Sequence, residues 1–505
     1  METFTPALFV AALALVGAVI AIAALLSGLV ERSGIPQVAI FLALGAAIGP
    51  AGLGLLEVGL GSPSLQIVAT LSLALILFTD ALSLSLREAR EHAGLAALLL
   101  GPGTLLSAAL FGGLAWLWLG LPGPAAAILG AALASTDPVL LRGLQRRRDL
   151  VPGARLGLRL ESGLNDVVLL PIVLVAMAFL HPEVETDGPA LARLGLDLFL
   201  LGPGAGVAVG LFGLATLDLV RRRIGVRRDY ESLYSLGIAF AAYSAAESVH
   251  GSGFLAAFAA GLTIAAFDVE LCDCFREYGE TTAELALLLT FVLLGSSLIW
   301  TGLGAADAKT FGFAALVLLG RPAVYGLALA GTRIDRRSRW LIAWFGPRGL
   351  SSLLLVLLAV FAGAPGADEL FRIACLVVLL SVLLHGGAIV WMGRRGDAAP
   401  EPSPLAPLLS LVGGGAAEEP ALASAREPGE AAEPFADPDR IGLAQVRALL
   451  AVGAPVVLAD VRKESAWREG DVKAAGARRL SPDRPADDAR VMGLPSDAWI
   501  VLYCT

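Results

Sequence analysis

Charge is scarce in this sequence. Only 16% of the 505 residues are charged while 56% are hydrophobic, a balance that excludes a soluble globular protein for most of the chain. Cysteine is scarcer still: Cys272, Cys274, Cys375 and Cys504 are too few and too scattered for a disulfide framework. A metal at Cys272 and Cys274 would need further ligands, and four dispersed histidines with no second cysteine pair leave that shell incomplete. His92, His181, His250 and His385 lie near the ends of apolar runs or inside one, and read as structural or solvated. A basic excess is also missing. The net charge of −8 comes mostly from the segment after Arg395, and no nucleic-acid partner is expected.

What the chain has in abundance is long apolar runs. They recur from Pro6 to Met392, each roughly 18 to 28 residues long, enough to cross a hydrocarbon core of about 30 Å. The lipid bilayer is therefore the expected surroundings, and the fold class is an all-α polytopic membrane protein with about thirteen transmembrane helices. Their expected limits are 8–30, 35–52, 64–86, 93–119, 122–144, 157–180, 191–220, 231–249, 251–268, 281–300, 308–331, 339–363 and 369–393. The first run is too long for a signal-peptide core and lacks a basic start, so it reads as a retained span.

Basic residues are missing from every second connection. Arg32, Arg87 with Arg90, Arg142 to Arg148 with Arg155, Arg221 to Arg228, Arg276, Arg333 to Arg339, and Arg394 with Arg395 occupy alternate ones, Lys309 being the clearest exception. The positive-inside rule then places the N-terminus outside and the C-terminus in the cytoplasm of a cell-membrane protein.

Against this apolar background one polar stretch stands out. Glu161, Ser162, Asn165 and Asp166 fall within an arc of about 140° on one helix face. Carboxylates at membrane depth cost at least a few kcal/mol each, and persist where they face a partner, a cavity or an ion path. Two spans are interrupted near their middles, the fifth by Ser135-Thr136-Asp137-Pro138 and the twelfth by Gly346-Pro347-Arg348-Gly349. Such backbone survives in a bilayer only where protein or a water-filled cavity satisfies it. Broken helices at corresponding places point to a transporter with two inverted six-helix repeats, here spans one to six and eight to thirteen with the seventh as connector. Asp80 and Glu247 carry a weaker signal and suit interfacial positions.

Composition changes after the last span. A transmembrane domain over 1–395 is expected, then a flexible Pro/Ala/Glu-rich linker over 396–439 and a small α/β module over 440–505. In that module, 441–450 is amphipathic, while 456–459 and Trp499 to Tyr503 read as strands.

Five motifs in order now support a resemblance: Ser135 to Val139, Glu161 to Asp166, Ser252 to Ala257, Gly320-Arg321-Pro322 and Gly346 to Gly349. Over roughly residues 8 to 393 the chain resembles the monovalent cation/proton antiporters, specifically their NhaP-like electroneutral branch, with the NhaA-like fold. The resemblance implies that Na⁺ (or Li⁺, or K⁺) and H⁺ are substrates, that no cofactor is needed, and that the protein is a homodimer. It makes Asp166 the ion- and proton-carrying aspartate, binding Na⁺. The chemistry is sound on its own terms, since a desolvated carboxylate holds a proton until a cation supplies the opposite charge. Asn165 stands where electrogenic relatives carry a second aspartate, which implies one cation per proton. Ser162, the backbone of Thr136 and Glu161 are carried over as further cation ligands. Glu161 is also the glutamate that the family pairs with an arginine, here Arg321. Asp137 would compensate the helix ends opened by the first break, and Arg348 would serve the second broken span similarly.

The tail has its own resemblance. Val457 to Arg462, residues 470 to 477 and Trp499 to Cys504 look like the first half of a rhodanese domain, in which Cys504 would carry sulfur. The loop that would cradle such a thiolate is missing after Thr505, so the module as given is expected to be inactive. A recoded UGA for selenocysteine after Thr505, a frameshift and a remnant domain are the competing readings, which the downstream DNA separates.

Three alternatives compete with antiport. One makes Glu161 and Asp166 mere paired charges between helices, with Arg321 and Arg348 as partners. Another makes the spans an anchor for a rhodanese-type sulfurtransferase or redox sensor using Cys504, although an anchor needs only one uninterrupted helix. The third is a channel, which a single carboxylate between broken helices suits poorly.

Overall fold

The computed structural model describes residues 37–396 apart from 85, 146–149, 181–186, 225–227, 268–272 and 333. Outside that range it describes 455–461, 476–480, 499–503 and a few single positions. Most of the expected span 8–30, the linker after residue 396 and Cys504 lie outside the described residues. The chain divides into two compact units, Met1–Leu409 and Ser410–Thr505.

In the first unit, hydropathy becomes helix. The helices are α1 Gln37–Ile48, α2 Pro63–Ser83, α3 Ala93–Leu119, α4 Gly123–Ala134, α5 Pro138–Gln145, α6 Pro152–Leu180 and α7 Gly188–Arg223. They continue as α8 Arg228–Ser248, α9 Gly253–Ala266, α10 Asp273–Leu293, α11 Ala308–Ala328, α12 Arg336–Trp344, α13 Leu350–Phe361 and α14 Ala367–Val390. Among the described residues eight helices are long and apolar enough to cross a membrane, and α1, α9 and α13 are shorter apolar helices. The chain is thus a multi-pass helical membrane protein.

Helix starts follow local chemistry. Ser62 accepts from the Leu65 amide at the head of α2, Asp307 from Thr310 at α11, and Asp335 from Ser338 at α12. Hydrogen bonds from the Thr310 amide and hydroxyl hold the Asp307 carboxyl below the usual carboxylate range. Ser338, whose amide donates to Oδ2 at 2.8 Å, does the same for Asp335.

Two groups of helices result. In the first, α9 packs against α2, α7 and α8, and α10 packs against α1 and α2. Glycine permits the close crossings: a Cβ at Gly206 would collide with the Ala256 backbone, and one at Gly295 would meet the Leu42 carbonyl at 2.6 Å. Ser72 and Thr290 share a buried hydrogen bond of 2.8 Å between α2 and α10. In the second group α4 packs against α3, α6 and α13, while α12 packs against α6 and α11. Helix α2 also touches α6 and α13, so it borders the group that holds the polar residues.

The second unit contains β1 Val456–Asp460, β2 Arg478–Arg479 and β3 Trp499–Tyr503, all parallel in the order β2-β1-β3. Val456 pairs with Trp499 and Asp460 with Tyr503. Parallel pairing needs long crossovers, as an α/β module supplies.

Candidate functional site

The site begins where helices stop. Between α4 and α5 the chain leaves the helix over Ser135, Thr136 and Asp137, and between α12 and α13 over Phe345 to Gly349. Proline explains each break, because Pro138 and Pro347 disfavour helix at the residue before them and donate no amide. The two non-helical stretches meet: the Asp137 amide donates to the Pro347 carbonyl at 2.9 Å.

Each break supplies what the other lacks. The Asp137 carboxylate accepts from Val139 N at the head of α5 and from Leu350 N at the head of α13, both at 2.8 Å. One buried anion therefore caps two half-helices, where their dipoles favour negative charge. Arg348 does the reverse, donating to the carbonyls of Ala134 and Ser135 at 2.7 and 2.8 Å, at the C-terminal end of α4. The sequence reading gave Arg348 to its own span; its guanidinium instead reaches across to the first break, because the crossing puts those free carbonyls in front of it. Its ring neighbour is Phe111, 5.4 Å from the guanidinium carbon to the ring centre.

The glycines of the second break are spatial necessities. A Cβ at Gly349 would collide with the Asp137 carboxylate, and one at Gly346 with the Arg321 guanidinium. Only a residue without a side chain lets these charges approach.

Helix α6 contributes the polar face. Glu161, Ser162, Asn165 and Asp166 are all buried on it, among apolar neighbours such as Leu158 and Leu169. Glu161 is held by Arg321 of α11 in a two-pronged pair, Nη1 to Oε1 and Nη2 to Oε2, each 3.1 Å. The Thr136 hydroxyl donates to Oε1 at 2.8 Å and the Tyr325 hydroxyl to the same atom at 3.1 Å. Arg321 lies 4.0 Å from the centre of the Tyr325 ring, and the Tyr325 hydroxyl also meets Thr104 at 3.1 Å. These bonds engage both oxygens of Glu161, three donors meeting Oε1 and the guanidinium meeting Oε2.

Asp166 has different company. Its Oδ1 accepts from the Ser135 hydroxyl at 2.5 Å, and the Ser351 hydroxyl is a further partner of the carboxyl. Asn165 donates from Nδ2 to the Thr136 carbonyl at 3.4 Å, while its Oδ1 is buried without a hydrogen-bond partner. Ser162 is buried one turn before Asp166 on the same face.

The partners divide the three carboxylates buried around the breaks by chemistry. Amides hold Asp137, and a guanidinium together with two hydroxyls holds Glu161; amide and guanidinium only donate, so each matches an ionised carboxylate. Asp166 is held by hydroxyls, which donate to a carboxylate and accept from a carboxylic acid. It can change protonation state without stranding a neighbour. Elsewhere, the Glu247 carboxylate accepts from Gly253 N at 2.9 Å and caps α9, and Cys375 is buried.

Sequence reasoning missed Tyr325, Thr104, Ser381 and His385. Tyr325 lies four residues after Arg321 and His385 four after Ser381, a spacing that puts each pair on one helix face. Thr104 left no signal in its apolar run.

Known proteins resemble this chain over most of its length. Residues 18–395 match the family described as sodium/hydrogen exchanger, transmembrane. The K⁺/H⁺ antiporter NhaP2 of Shewanella sp. (strain MR-4) is 28% identical over 405 residues, covering 77% of this chain and 68% of the relative. The K⁺/H⁺ antiporter NhaP of Alkalimonas amylolytica is 26% identical over 371 residues, covering 72% and 63%. An uncharacterized Na⁺/H⁺ exchanger of Mycobacterium bovis is 29% identical over 359 residues, covering 64% of each chain. In fold, the chain is similar to the sodium proton antiporter MjNhaP1 of Methanocaldococcus jannaschii, with TM-score 0.60 and 22% identity over 77% of this chain and all of the other. The crossed breaks, the polar face of α6 and the match over 18–395 together make this chain a member of the transmembrane sodium/hydrogen exchanger family.

Proposed function

We propose that this protein exchanges a monovalent cation for a proton by alternating access, with both competing for Asp166. The observation that carries the reading is the set of hydroxyl partners around that one carboxylate, which suits both of its charge states. Ser162, the Asn165 carbonyl oxygen and the Thr136 backbone carbonyl are the neutral oxygens that would complete a cation shell. Hard monovalent cations prefer such oxygen donors. Glu161 and Arg321 act as a structural ion pair beside the site, and Asp137 and Arg348 compensate the helix ends. The crossing of the two breaks supports the inverted six-helix repeats.

Sodium is the cation favoured by the sequence reading, with K⁺ and Li⁺ as the other candidates; the Shewanella relatives are named for K⁺. The cell membrane, an outside N-terminus, thirteen spans and a homodimer complete the reading. The tail is proposed as an incomplete rhodanese-like cytoplasmic module over 440–505 after a linker over 396–439, and its three parallel strands support an α/β character.

Proteoliposomes with an imposed pH gradient test this directly. Adding Na⁺, K⁺ or Li⁺ should dissipate the gradient for at least one ion, whereas a membrane anchor moves no protons and a channel carries current. Exchange should also be electroneutral, because Asn165 cannot carry the second proton that a carboxylate there would. An imposed membrane potential should leave the rate unchanged, and a rate that climbs steeply with potential would refute one-for-one exchange.

A further inference from the structure

We propose that Ser381 and His385 form a positioning pair that holds the second break in register with Asp166; this rests on the reading of Asp166 as the exchange site. Both residues are buried in α14, Ser381 at 0% and His385 at 2% exposure. The helix widens over Val382–Gly386, immediately after Ser381, and such turns re-aim side chains within an otherwise regular helix. An imidazole in this setting must have its hydrogen bonds met by protein.

The bonds converge on Ser381. The Arg348 amide donates to Ser381 Oγ at 2.7 Å, and Ser381 Oγ lies 3.1 Å from His385 Nδ1. Nδ1 also lies 3.2 Å from the Ser381 carbonyl oxygen, so the ring accepts from the hydroxyl or donates to that carbonyl according to its tautomer, and both contacts tie it to Ser381. The ring also lies against Trp344, with centroids 6.2 Å apart, and the Trp344 backbone is within its hydrogen-bonding reach. Trp344 ends α12 and Arg348 precedes α13. One pair from a third helix thereby grips both sides of the break.

From there the path to the carboxylate is short. Arg348 donates from its side chain to the Ala134 and Ser135 carbonyls, and the Ser135 hydroxyl donates to Asp166. Without the Ser381 hydroxyl, the buried Arg348 amide loses its acceptor and the break is free to shift. Ser135 shifts with it. The effect falls on cation binding at Asp166, with little on the turnover of molecules that have bound.

The test uses the full-length protein in proteoliposomes, comparing Ser381→Ala, Ser381→Thr, His385→Gln and His385→Leu for half-saturating cation concentration, maximal rate and melting temperature. Ser381→Ala should raise the half-saturating concentration roughly three- to tenfold, the worth of about one net hydrogen bond, with a smaller change in maximal rate. Ser381→Thr keeps the hydroxyl and should restore the parent value. His385→Gln keeps an acceptor and should resemble the parent more than His385→Leu, which decides the matter should Ser381→Ala fail to fold. If Ser381→Ala and His385→Leu lower the melting temperature alone, the pair is merely structural and the inference is overturned. Asp166→Asn, run in parallel, separates the two levels: an inactive Asp166→Asn beside an unshifted Ser381→Ala overturns the pair alone, and an active Asp166→Asn overturns both.

Discussion

Asp166→Asn should reduce cation-driven proton movement to the level of protein-free liposomes while the purified protein remains folded. Asparagine has the shape of the neutral acid and keeps a carbonyl oxygen to accept from the Ser135 hydroxyl. Packing around the buried side chain is therefore preserved. Both exchange functions are lost, since an amide carries neither the negative charge that attracts a cation nor a titratable proton. The other two carboxylates buried at the breaks, Asp137 and Glu161, are engaged by amides and a guanidinium and should not replace it. Flux at the parent rate would show that the exchange site lies elsewhere.

Arg321→Ala should produce the largest loss of stability of any single change at the site. The pair with Glu161 is almost entirely shielded from solvent, Arg321 at 1% and Glu161 at 0% exposure. Removing the guanidinium takes away two donors and strands a negative charge in a low-dielectric interior, at a cost of about 3–5 kcal/mol. Tyr325 and Thr136 still donate to Oε1, but Oε2 loses its guanidinium donor. Glu161→Gln should lower the melting temperature in detergent less steeply, because its amide keeps one oxygen for the guanidinium. The double variant should be more stable than the sum of the single losses predicts, since neither charge is then left alone. Single variants that melt with the parent would mean that the pair contributes nothing.

Much of this site could be read from residue types alone, and the reasons are physical. Buried charges in apolar runs are conspicuous, which is why Glu161, Asp166, Arg321 and Arg348 stood out. Helix periodicity put Glu161 and Asp166 on one face, and proline marked both breaks. What stayed hidden depends on tertiary crossing. That Arg348 serves the carbonyls of Ala134 and Ser135 follows from one break lying across the other, which no local pattern encodes. The crowding at Gly346 and Gly349 is likewise visible only once Arg321 and Asp137 are in place. Ser135 lay inside a recognised motif, yet its hydrogen bond to Asp166 depends on where α4 ends against α6. Widened turns such as Leu99–Leu105 and Val382–Gly386 leave hydropathy unchanged, so Thr104 and His385 read as ordinary residues of apolar helices.

Competition between proton and cation at Asp166 is the central claim, and the pH dependence of cation affinity tests it most directly. Two ligands that exclude each other from one site weaken each other's binding reciprocally. Lowering the pH fills the carboxylate with protons, so the cation concentration needed for half-maximal exchange must rise. The limit is about tenfold per pH unit where the protonated form dominates, with a plateau at alkaline pH. Initial rates of exchange should be measured over a wide range of cation concentration at several pH values, equal on both sides of the liposome membrane. Competition predicts a half-saturating concentration that climbs toward tenfold per unit on the acid side, with acid inhibition overcome by more cation. A half-saturating concentration that stays constant while the maximal rate falls with pH would contradict it.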